Sequence, residues 1–422
     1  MTAHYSSLNH DLVEAIKWDP AESAERVTAD IFLSKGTSNS YLIQSPDGDV
    51  VVNTGTSYQG ARHRSRYEEL LGRKLNVRKI IFTQSHADHM GGWRAFAEAE
   101  VEIIAQANYP DGRIDRCHLA SFYLPRLQRI VGDVDSSPQH RDLDKWWNKP
   151  DEAPVSILFE TDYSFVLGGR SFELHSTPSG ETTDCCTVWL PDEKALFTGN
   201  FMGALYGALP HLYTLRGDRL RSARRFIRDM DYIIGLKPQL LITGHGAPIS
   251  GGERICADLT RIRDAVAYIH DQTIAGMNQH KDLPLLMREI TLPASLTPRP
   301  GRGPVSWLVR TIWEESAGWF RQERTTELYA TPPSAIWKEL VALAGGPEPL
   351  VRSAEAQMAK NDPIKALHFT EMVLFCEPHN KGALRMHISA LEELVRRTEG
   401  KTFDELAWLE GEIRAARDAL VQ

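Results

Sequence analysis

The feature that most restricts the fold is a series of short apolar runs, each bounded by turn-forming residues, in the first 245 residues. Runs rich in Val, Ile and Phe with Gly, Asp or Pro at their ends predict β-strands. Asp47-Gly48 predicts a hairpin between two of them, and the segments YEELLGRKL and WRAFAEAE predict helices between others. The runs that we interpret as strands are SYLIQ, DVVVN, VRKIIFT, VEIIAQ, SFVLGG, SFELHSTP, CCTVWLP, KALFTG and PQLLITG.

Strand signals stop near residue 255, and helical patterns follow. Asp362 with Pro363 is typical of a helix start, and Thr402 with Glu405 has the spacing of a capping box. We therefore predict a domain boundary near residue 255.

Residues 108–152 show no clear period and predict an inserted cap or lid. Within it, the neighbouring Trp146 and Trp147 either cover a substrate pocket or pack in a core. The sequence alone leaves both interpretations open.

Composition excludes several classes of function. The chain has 48 Lys and Arg residues against 56 Asp and Glu residues, so its charge gives no reason to expect nucleic acid or an anionic membrane as a partner. The N-terminus lacks a basic region followed by an apolar stretch, and no segment reaches membrane-spanning length, which predicts a cytoplasmic protein. The five cysteines are odd in number and scattered, as reduced thiols are, and we interpret Cys185 and Cys186 as buried small hydrophobes.

The strongest candidate for a chemical site is the stretch TQSHADHMGG, which follows the predicted strand VRKIIF. His86, Asp88 and His89 place three metal-ligand side chains within four positions. Carboxylate oxygen and imidazole nitrogen together suit zinc or other first-row metals. Further ligand candidates stand at the ends of later strand signals, and His245 is the strongest of them; the others are Glu181 and Asn200.

The motifs SHADHMGG, STPSGET, LFTGN and LLITGHGAP, in this order, resemble the metallo-β-lactamase superfamily. STPSGETTD, HLYTLRG, ITLPASL and GWFRQERTTEL are similar to its alkylsulfatase branch. The resemblance implies an α/β fold, an αββα sandwich with metal at loop ends along one edge, followed by an all-α helical dimerisation domain. The implied divisions are an N-terminal extension (1–27), the catalytic domain (28–255), a helical extension (256–335) and the dimerisation domain (336–422).

The resemblance also implies two half-sites. Asp88, His89 and His245 would hold one ion. Gln84, His86 and Glu181 would hold the other, but Gln84 stands where the superfamily has histidine, and an amide is a poorer zinc ligand than imidazole. Asn200 likewise stands where a bridging acidic residue is common. We therefore expect one firmly held zinc ion, with iron or manganese as alternatives and a second ion weak or absent, and we expect Gln84→His to raise the metal content.

The implied activity is hydrolysis of a small anionic sulfate or carboxylic ester by metal-activated water. Asp88, Asp184 and Arg216 are the catalytic candidates; Asp184 would support the ligands or relay a proton, and Arg216 would pair with an anionic substrate group. Long-chain sulfatases carry a further lipid-binding module, which residues up to 422 do not supply, so a detergent-like alkyl sulfate is disfavoured and another small-molecule substrate is expected. The resemblance also implies a homodimer formed by the C-terminal helical domain.

Two alternatives remain. The chain could be a non-hydrolytic member of the fold, such as a lyase or a mononuclear iron oxygenase, or a catalytically silent scaffold whose helices bind partners. Metal content discriminates among them, because zinc favours hydrolysis, iron favours redox chemistry, and lack of metal favours the scaffold.

Overall fold

The structure is a computed structural model that describes residues 11–98, 100–131 and 152–421. The chain divides into two compact units, of which the first ends at Trp313 and the second comprises chiefly Glu314–Gln422. Trp146 and Trp147, and the last part of the predicted insertion 108–152, lie outside the described residues. In the described ranges, no helix is both long and apolar enough to span a membrane.

In the described chain, seven strands form the first sheet in sequence order: β1 Glu25–Arg26, β2 Ile31–Ser34, β3 Ser40–Ser45, β4 Gly48–Val52, β5 Val77–Ile81, β6 Glu102–Gln106 and β7 Ile157–Phe159. Strands β1 to β4 pair antiparallel, and β4 to β7 pair parallel. Parallel pairing places the carboxyl ends of β4, β5 and β6 at one edge. The loops that leave these strands therefore meet at that edge.

Six described strands form the second sheet: β8 Asp162–Leu167, β9 Arg170–Ser176, β10 Cys186–Leu190, β11 Ala195–Gly199, β12 Leu240–Thr243 and β13 Ile249–Ser250. Their order is β13-β12-β11-β10-β9-β8, and β11 and β12 form the parallel pair. Near the ends of β11 and β12, Gly244 N–H donates to the Gly199 carbonyl at 3.0 Å. Asn200 and His245, which follow these two strands, therefore lie side by side.

The two sheets face each other across a common core. Alternate residues of both sheets, such as Ile43, Val52, Leu174, Val188 and Phe197, are fully buried in it. A second apolar cluster covers the outer face of the first sheet, and a third covers that of the second. Each sheet is therefore buried on both faces, which confirms the predicted αββα sandwich.

Nine helices of the described chain begin before residue 306: α1 Asp11–Ile16, α2 Gly60–Leu71, α3 Ala87–Met90, α4 Tyr109–His118, α5 Ala120–Val131, α6 Ala223–Gly235, α7 Gly252–Asn278, α8 Leu283–Glu289 and α9 Val305–Ala317. Short 3₁₀ helices occur at Trp93–Ala95 and Ala294–Leu296. The change of character near residue 255 marks the end of the strands. The first unit nevertheless continues to Trp313, because α7, α8 and α9 bury apolar residues on the second sheet.

Two local predictions are corrected. The segment WRAFAEAE, predicted as a helix, forms a single 3₁₀ turn, because Trp93 and Phe96 both point into the core and a spacing of three suits a 3₁₀ helix. The hairpin predicted between β3 and β4 is confirmed, but its turn residues are Pro46 and Asp47 rather than Asp47 and Gly48, since Ser45 pairs with Gly48. Proline has no N–H to donate, which suits a turn position better than a strand.

The second unit is helical. Its described helices are α10 Trp337–Leu343, α11 Pro347–Ala359, α12 Pro363–Cys376, α13 Lys381–Thr398 and α14 Phe403–Val421, with 3₁₀ turns at Thr325–Leu328 and Pro333–Ile336. Asp362 caps α12, as predicted, by accepting a hydrogen bond from Lys365 N at 3.1 Å. The Thr402 hydroxyl donates to the Glu405 carboxylate at 2.7 Å just before α14.

Candidate metal centre

Asp88, His89 and His245 come together at the edge where strand ends of both sheets meet. Asp88 and His89 belong to the short helix α3, one loop beyond β5, and His245 follows β12. Their potential ligand atoms all lie within 4.8 Å of one another. Asp88 Oδ2 is 3.5 Å from His89 Nε2 and 3.8 Å from His245 Nε2. Two imidazoles and one carboxylate thus converge on one point.

The state of both imidazoles bears on whether a metal ion fits there. His245 Nδ1–H donates to the Thr37 carbonyl at 2.7 Å, so Nε2 carries the lone pair; it accepts from the neutral Asn200 amide at 3.1 Å, a contact that a metal ion would have to replace. Burial and the neighbouring His89 lower the pKa of His245 to about 4, so that its ring is neutral at neutral pH. His89 Nε2 is buried and has no hydrogen-bond partner within the described residues. A buried nitrogen without a partner is what a metal ligand leaves when its ion is removed, so this set fits a metal.

Asn53, at the end of β4, is a contact that sequence reasoning missed. Its side-chain nitrogen lies 3.0 Å from His89 Nδ1, while its oxygen accepts from Thr83 N at 3.0 Å. An N–H donor facing Nδ1 favours the tautomer with the proton on Nε2, whereas a metal needs a lone pair there. For His89 to bind a metal through Nε2, Asn53 must therefore turn its amide oxygen toward Nδ1. The signal in the sequence was a polar residue directly after the apolar run DVVV.

Gln84, His86 and Glu181 also lie together, next to the first three residues. Gln84 Nε2 donates to Glu181 Oε2 at 3.4 Å, and His86 Nδ1 is 3.6 Å from the same oxygen. The Cys185 thiol donates to Gln84 Oε1 at 3.3 Å and so fixes the amide with its N–H groups toward Glu181. Burial raises the pKa of Cys185 to about 12, so it remains a thiol. Cys185 and Cys186 are both buried, as predicted.

Arg116, from helix α4, contacts the outer nitrogen of His86. Its guanidinium donates to His86 Nε2 and to Asp218 Oδ2, the latter at 2.9 Å. No sequence signal identified Arg116, since it lies in the segment 108–152 that has no period. The described part of that segment thus brings a cation to the site.

Glu181 is surrounded by donors. Asn200 Nδ2 donates to Glu181 Oε2 at 2.6 Å, and Arg216 donates to Oε1 at 3.3 Å, with Arg302 at 4.0 Å. Burial would raise the pKa of this carboxyl, but His86, the two arginines and the Asn200 hydrogen bond hold it well below its usual range. Glu181 is therefore ionised.

Asn200 bridges the two groups, at the position where the resemblance implied a bridging acid. Besides Glu181, its Nδ2 lies 3.1 Å from His245 Nε2, whereas its buried Oδ1 has no partner in the described ranges. The preceding Gly199 has φ of 50°, and a Cβ there would lie 2.4 Å from Thr83 Oγ1. A side chain at position 199 is therefore excluded.

Asp184 is buried beside this group. Its Oδ1 accepts from Ser85 Oγ at 3.0 Å, and burial raises its pKa above the usual value for an aspartate. Asp184 Oδ2 is buried and unpartnered among the described residues. Asp184 thus contacts the loop that carries His86, and its catalytic role stays a prediction.

Arg216, the predicted anion-binding residue, keeps one donor unused. Its NH2 group pairs with Glu181, but its Nε is buried and has no hydrogen-bond partner in the part of the chain that the structure describes.

Comparisons with known proteins agree with this arrangement. Residues 33–245, half of the chain, match the family model of the metallo-beta-lactamase superfamily, and residues 286–408 match that of the alkyl sulfatase dimerisation domain. A linear primary-alkylsulfatase of Pseudomonas sp. is 28% identical over 340 residues, which cover 76% of this chain and 63% of that protein. An alkyl/aryl-sulfatase of Saccharomyces cerevisiae is 24% identical over 401 residues, covering 90% and 62%.

The chain therefore spans about three fifths of the length of these curated relatives. Among solved structures, a stereoselective inverting sec-alkylsulfatase from Pseudomonas sp. superposes with a TM-score of 0.80 at 21% identity, covering 94% of this chain and 66% of that one. At that identity the likeness concerns the fold.

Proposed function

Because this chain belongs to the metallo-beta-lactamase superfamily, we propose that it is a metal-dependent hydrolase of small sulfate or carboxylic esters. The observation that carries the proposal is the convergence of Asp88, His89 and His245 within 4.8 Å at the edge of the sandwich. The alkylsulfatases among its relatives support sulfate esters as the substrate class. A zinc ion bound by these three residues would lower the pKa of water toward neutrality and so supply the nucleophile.

The chain's own residues would bind and orient the substrate. Asp88 is partly exposed, with 21% of its side chain accessible, so one carboxylate oxygen can orient an attacking water while the other faces the imidazoles. Arg216, whose side chain is 20% exposed, would donate to an anionic oxygen of the substrate. Because guanidinium groups bind sulfate and carboxylate oxygens through charge-assisted hydrogen bonds, Arg216 would favour a sulfate over a neutral ester.

The test is a panel of chromogenic sulfate, phosphate and carboxylic esters with zinc-, manganese- and iron-loaded protein, with metal content measured in parallel. We expect zinc- or manganese-dependent hydrolysis of at least one ester. Arg216→Gln should lower kcat/KM for the sulfate ester by about 10- to 100-fold, the effect of losing a charged hydrogen bond, and should change hydrolysis of an uncharged ester less. Failure of every metal-loaded form to hydrolyse any ester contradicts the proposal.

A second candidate rests on the donor set itself. Two histidines and one carboxylate are also the ligand set of mononuclear non-haem iron oxygenases. Iron retained through purification, together with oxygen consumption that depends on a thiol or organic substrate, would favour this activity over hydrolysis.

We also propose that the chain forms a homodimer through its second unit. The match of residues 286–408 to the alkyl sulfatase dimerisation family supports this, as do large exposed apolar side chains of that unit, among them Leu343 at 84% and Phe375 at 52%. Exposed apolar patches of this kind favour a protein partner.

A further inference from the structure

The side chains where a second metal ion would bind already have cationic partners. His86 Nε2, the nitrogen with a lone pair available to a ligand, accepts a hydrogen bond from the Arg116 guanidinium. The other ring nitrogen then carries the proton and faces Glu181 Oε2 at 3.6 Å. His86 thus has no free lone pair for an ion while Arg116 stays in place.

Glu181, the carboxylate of the same half-site, is engaged at both oxygens. Oε2 accepts from Asn200 and Gln84, and Oε1 accepts from Arg216. In the described residues, Asp88, His89 and His245 form a group of three His, Cys, Asp or Glu ligands, whereas the second half-site offers two, His86 and Glu181.

We propose that Arg116 is a built-in replacement for the second metal ion, a fixed cation that occupies His86 and makes the site mononuclear. This inference rests on the proposed function, in which Asp88, His89 and His245 hold the first ion. It assigns Arg116 the role of a residue that determines metal stoichiometry. Two features then hinder binding of a second ion, and Gln84 in place of histidine is the weaker of them.

The charges around this half-site agree with the proposal. Asp218 balances the charge of Arg116 at 2.9 Å, and Glu181 already faces Arg216 and Arg302. A divalent ion would therefore enter a region in which Glu181 and Asp218 are each already paired with a guanidinium. Since like charges repel strongly where water is largely excluded, an ion can bind well only after Arg116 is removed or withdrawn.

The ion pair with Asp218 keeps Arg116 in position. Besides the bond from Arg116 to Asp218, the adjacent Asp115 pairs with Arg219 at 2.6 Å, so that successive residues of α4 bind successive parts of the loop after Arg216. Arg219 pairs with Asp115 rather than with His86 or Glu181, and half of its side chain is exposed. It is a matched control, because it lies in the same pair of segments and carries the same charge.

The experiment measures metal per chain in the full-length protein. Wild type, Gln84→His, Arg116→Met, the Gln84→His/Arg116→Met double variant and a Gln84→His/Arg219→Met control are loaded with Zn²⁺ or Co²⁺ and dialysed against a weak chelator. Elemental analysis gives the stoichiometry, and the Co²⁺ visible spectrum reports each coordination environment. We expect about one ion in every protein except the Gln84→His/Arg116→Met variant, which should hold about two. This differs from the expectation from the sequence that Gln84→His alone raises the metal content, because Arg116 still occupies His86 in that single variant.

The difference in metal ions per chain between Gln84→His and the double variant decides whether Arg116 excludes a second ion. This holds whatever the metal content of the wild type. If Gln84→His alone gains a second ion, or if the folded double variant gains none over the single variant, Arg116 does not exclude the metal. An equal gain in the Arg219 control would show a general charge effect and would equally overturn the proposal. Should the double variant fail to fold, Gln84→His with Asp218→Asn, which frees Arg116 to withdraw, should show the gain instead. Wild type that binds no ion contradicts the proposed function and leaves this increment as a separate result.

Discussion

Replacing Asn53 by aspartate should tighten metal binding at His89. In the structure, Asn53 points its amide nitrogen at His89 Nδ1 because its oxygen accepts from Thr83 N and lies 3.2 Å from Thr83 Oγ1. To free His89 Nε2 for a metal, the proton must move to Nδ1 and the amide must rotate, which would turn an N–H group against Thr83 N. An aspartate avoids the conflict, since both of its oxygens accept.

The size of the effect follows from the lost hydrogen bonds. Leaving a buried backbone N–H such as Thr83 N without an acceptor costs about 1–3 kcal/mol, and Asn53→Asp removes that cost from metal binding. We therefore expect the dissociation constant for zinc to fall by roughly 5- to 150-fold. Asn53 has a left-handed φ of 57°, which aspartate tolerates nearly as well as asparagine.

The assay is competitive titration of Zn²⁺ with a chromophoric chelator at neutral pH. Asn53→Ala is the control, because it removes the opposing N–H without providing an acceptor, and it should fall between wild type and Asn53→Asp. Circular dichroism and thermal melts establish that each variant is folded. A folded Asn53→Asp protein with unchanged or weaker affinity would refute the assignment of the His89 tautomer.

Three further predictions follow from the same structure. His89→Ala removes one of the three converging ligands and should abolish both metal retention and activity while the fold persists; full activity in this variant would show that the site lies elsewhere. The pKa of His245 is lowered to about 4, so folding favours its neutral form. Its full contribution to the free energy of unfolding is present above about pH 6.5, and up to about 3 kcal/mol is lost as the pH falls toward 4. Urea unfolding of chelator-treated protein should show this loss, and His245→Gln should reduce it; an identical pH profile in the two proteins would count against it. Leu343→Glu in the second unit should shift the protein from dimer to monomer in light scattering, whereas a wild-type monomer at micromolar concentration would contradict the dimer proposal.

The short apolar runs ended by turn residues predicted the strands, and the resemblance to the metallo-β-lactamase superfamily implied their arrangement as a sandwich. Asp88 and His245 could be proposed as ligands because each ligand-type side chain follows such a strand. Asn53 also directly follows a predicted strand, DVVV, and so could have been proposed as a site residue. However, an asparagine before Thr-Gly is equally typical of a turn. The residue type alone could not show that its amide faces an imidazole.

Other parts of the site depend on contacts that no local pattern encodes. Gln84 could be interpreted as a lost ligand, but the direction of its amide is set by Cys185, about a hundred residues away along the chain. Arg116 lies in a segment without period, and an arginine there is most often a surface residue. Its position follows from the tertiary pairing of α4 with Asp218.

The hydrogen bonds at the end of β12 make metal binding depend on the docking of this strand. The Thr37 carbonyl binds His245, Asn39 N–H donates to the Gly244 carbonyl at 2.8 Å, and the Tyr41 hydroxyl donates to the Thr243 carbonyl at 3.2 Å. These contacts join the β2–β3 region of one sheet to β12 and the residues after it in the other. The joined residues are separated by more than a third of the chain. A nascent polypeptide therefore cannot assemble the three ligands until that strand has been synthesised and has docked. Metal binding during refolding should accordingly occur late. The time at which metal is bound then reports when the two sheets of the sandwich have packed together.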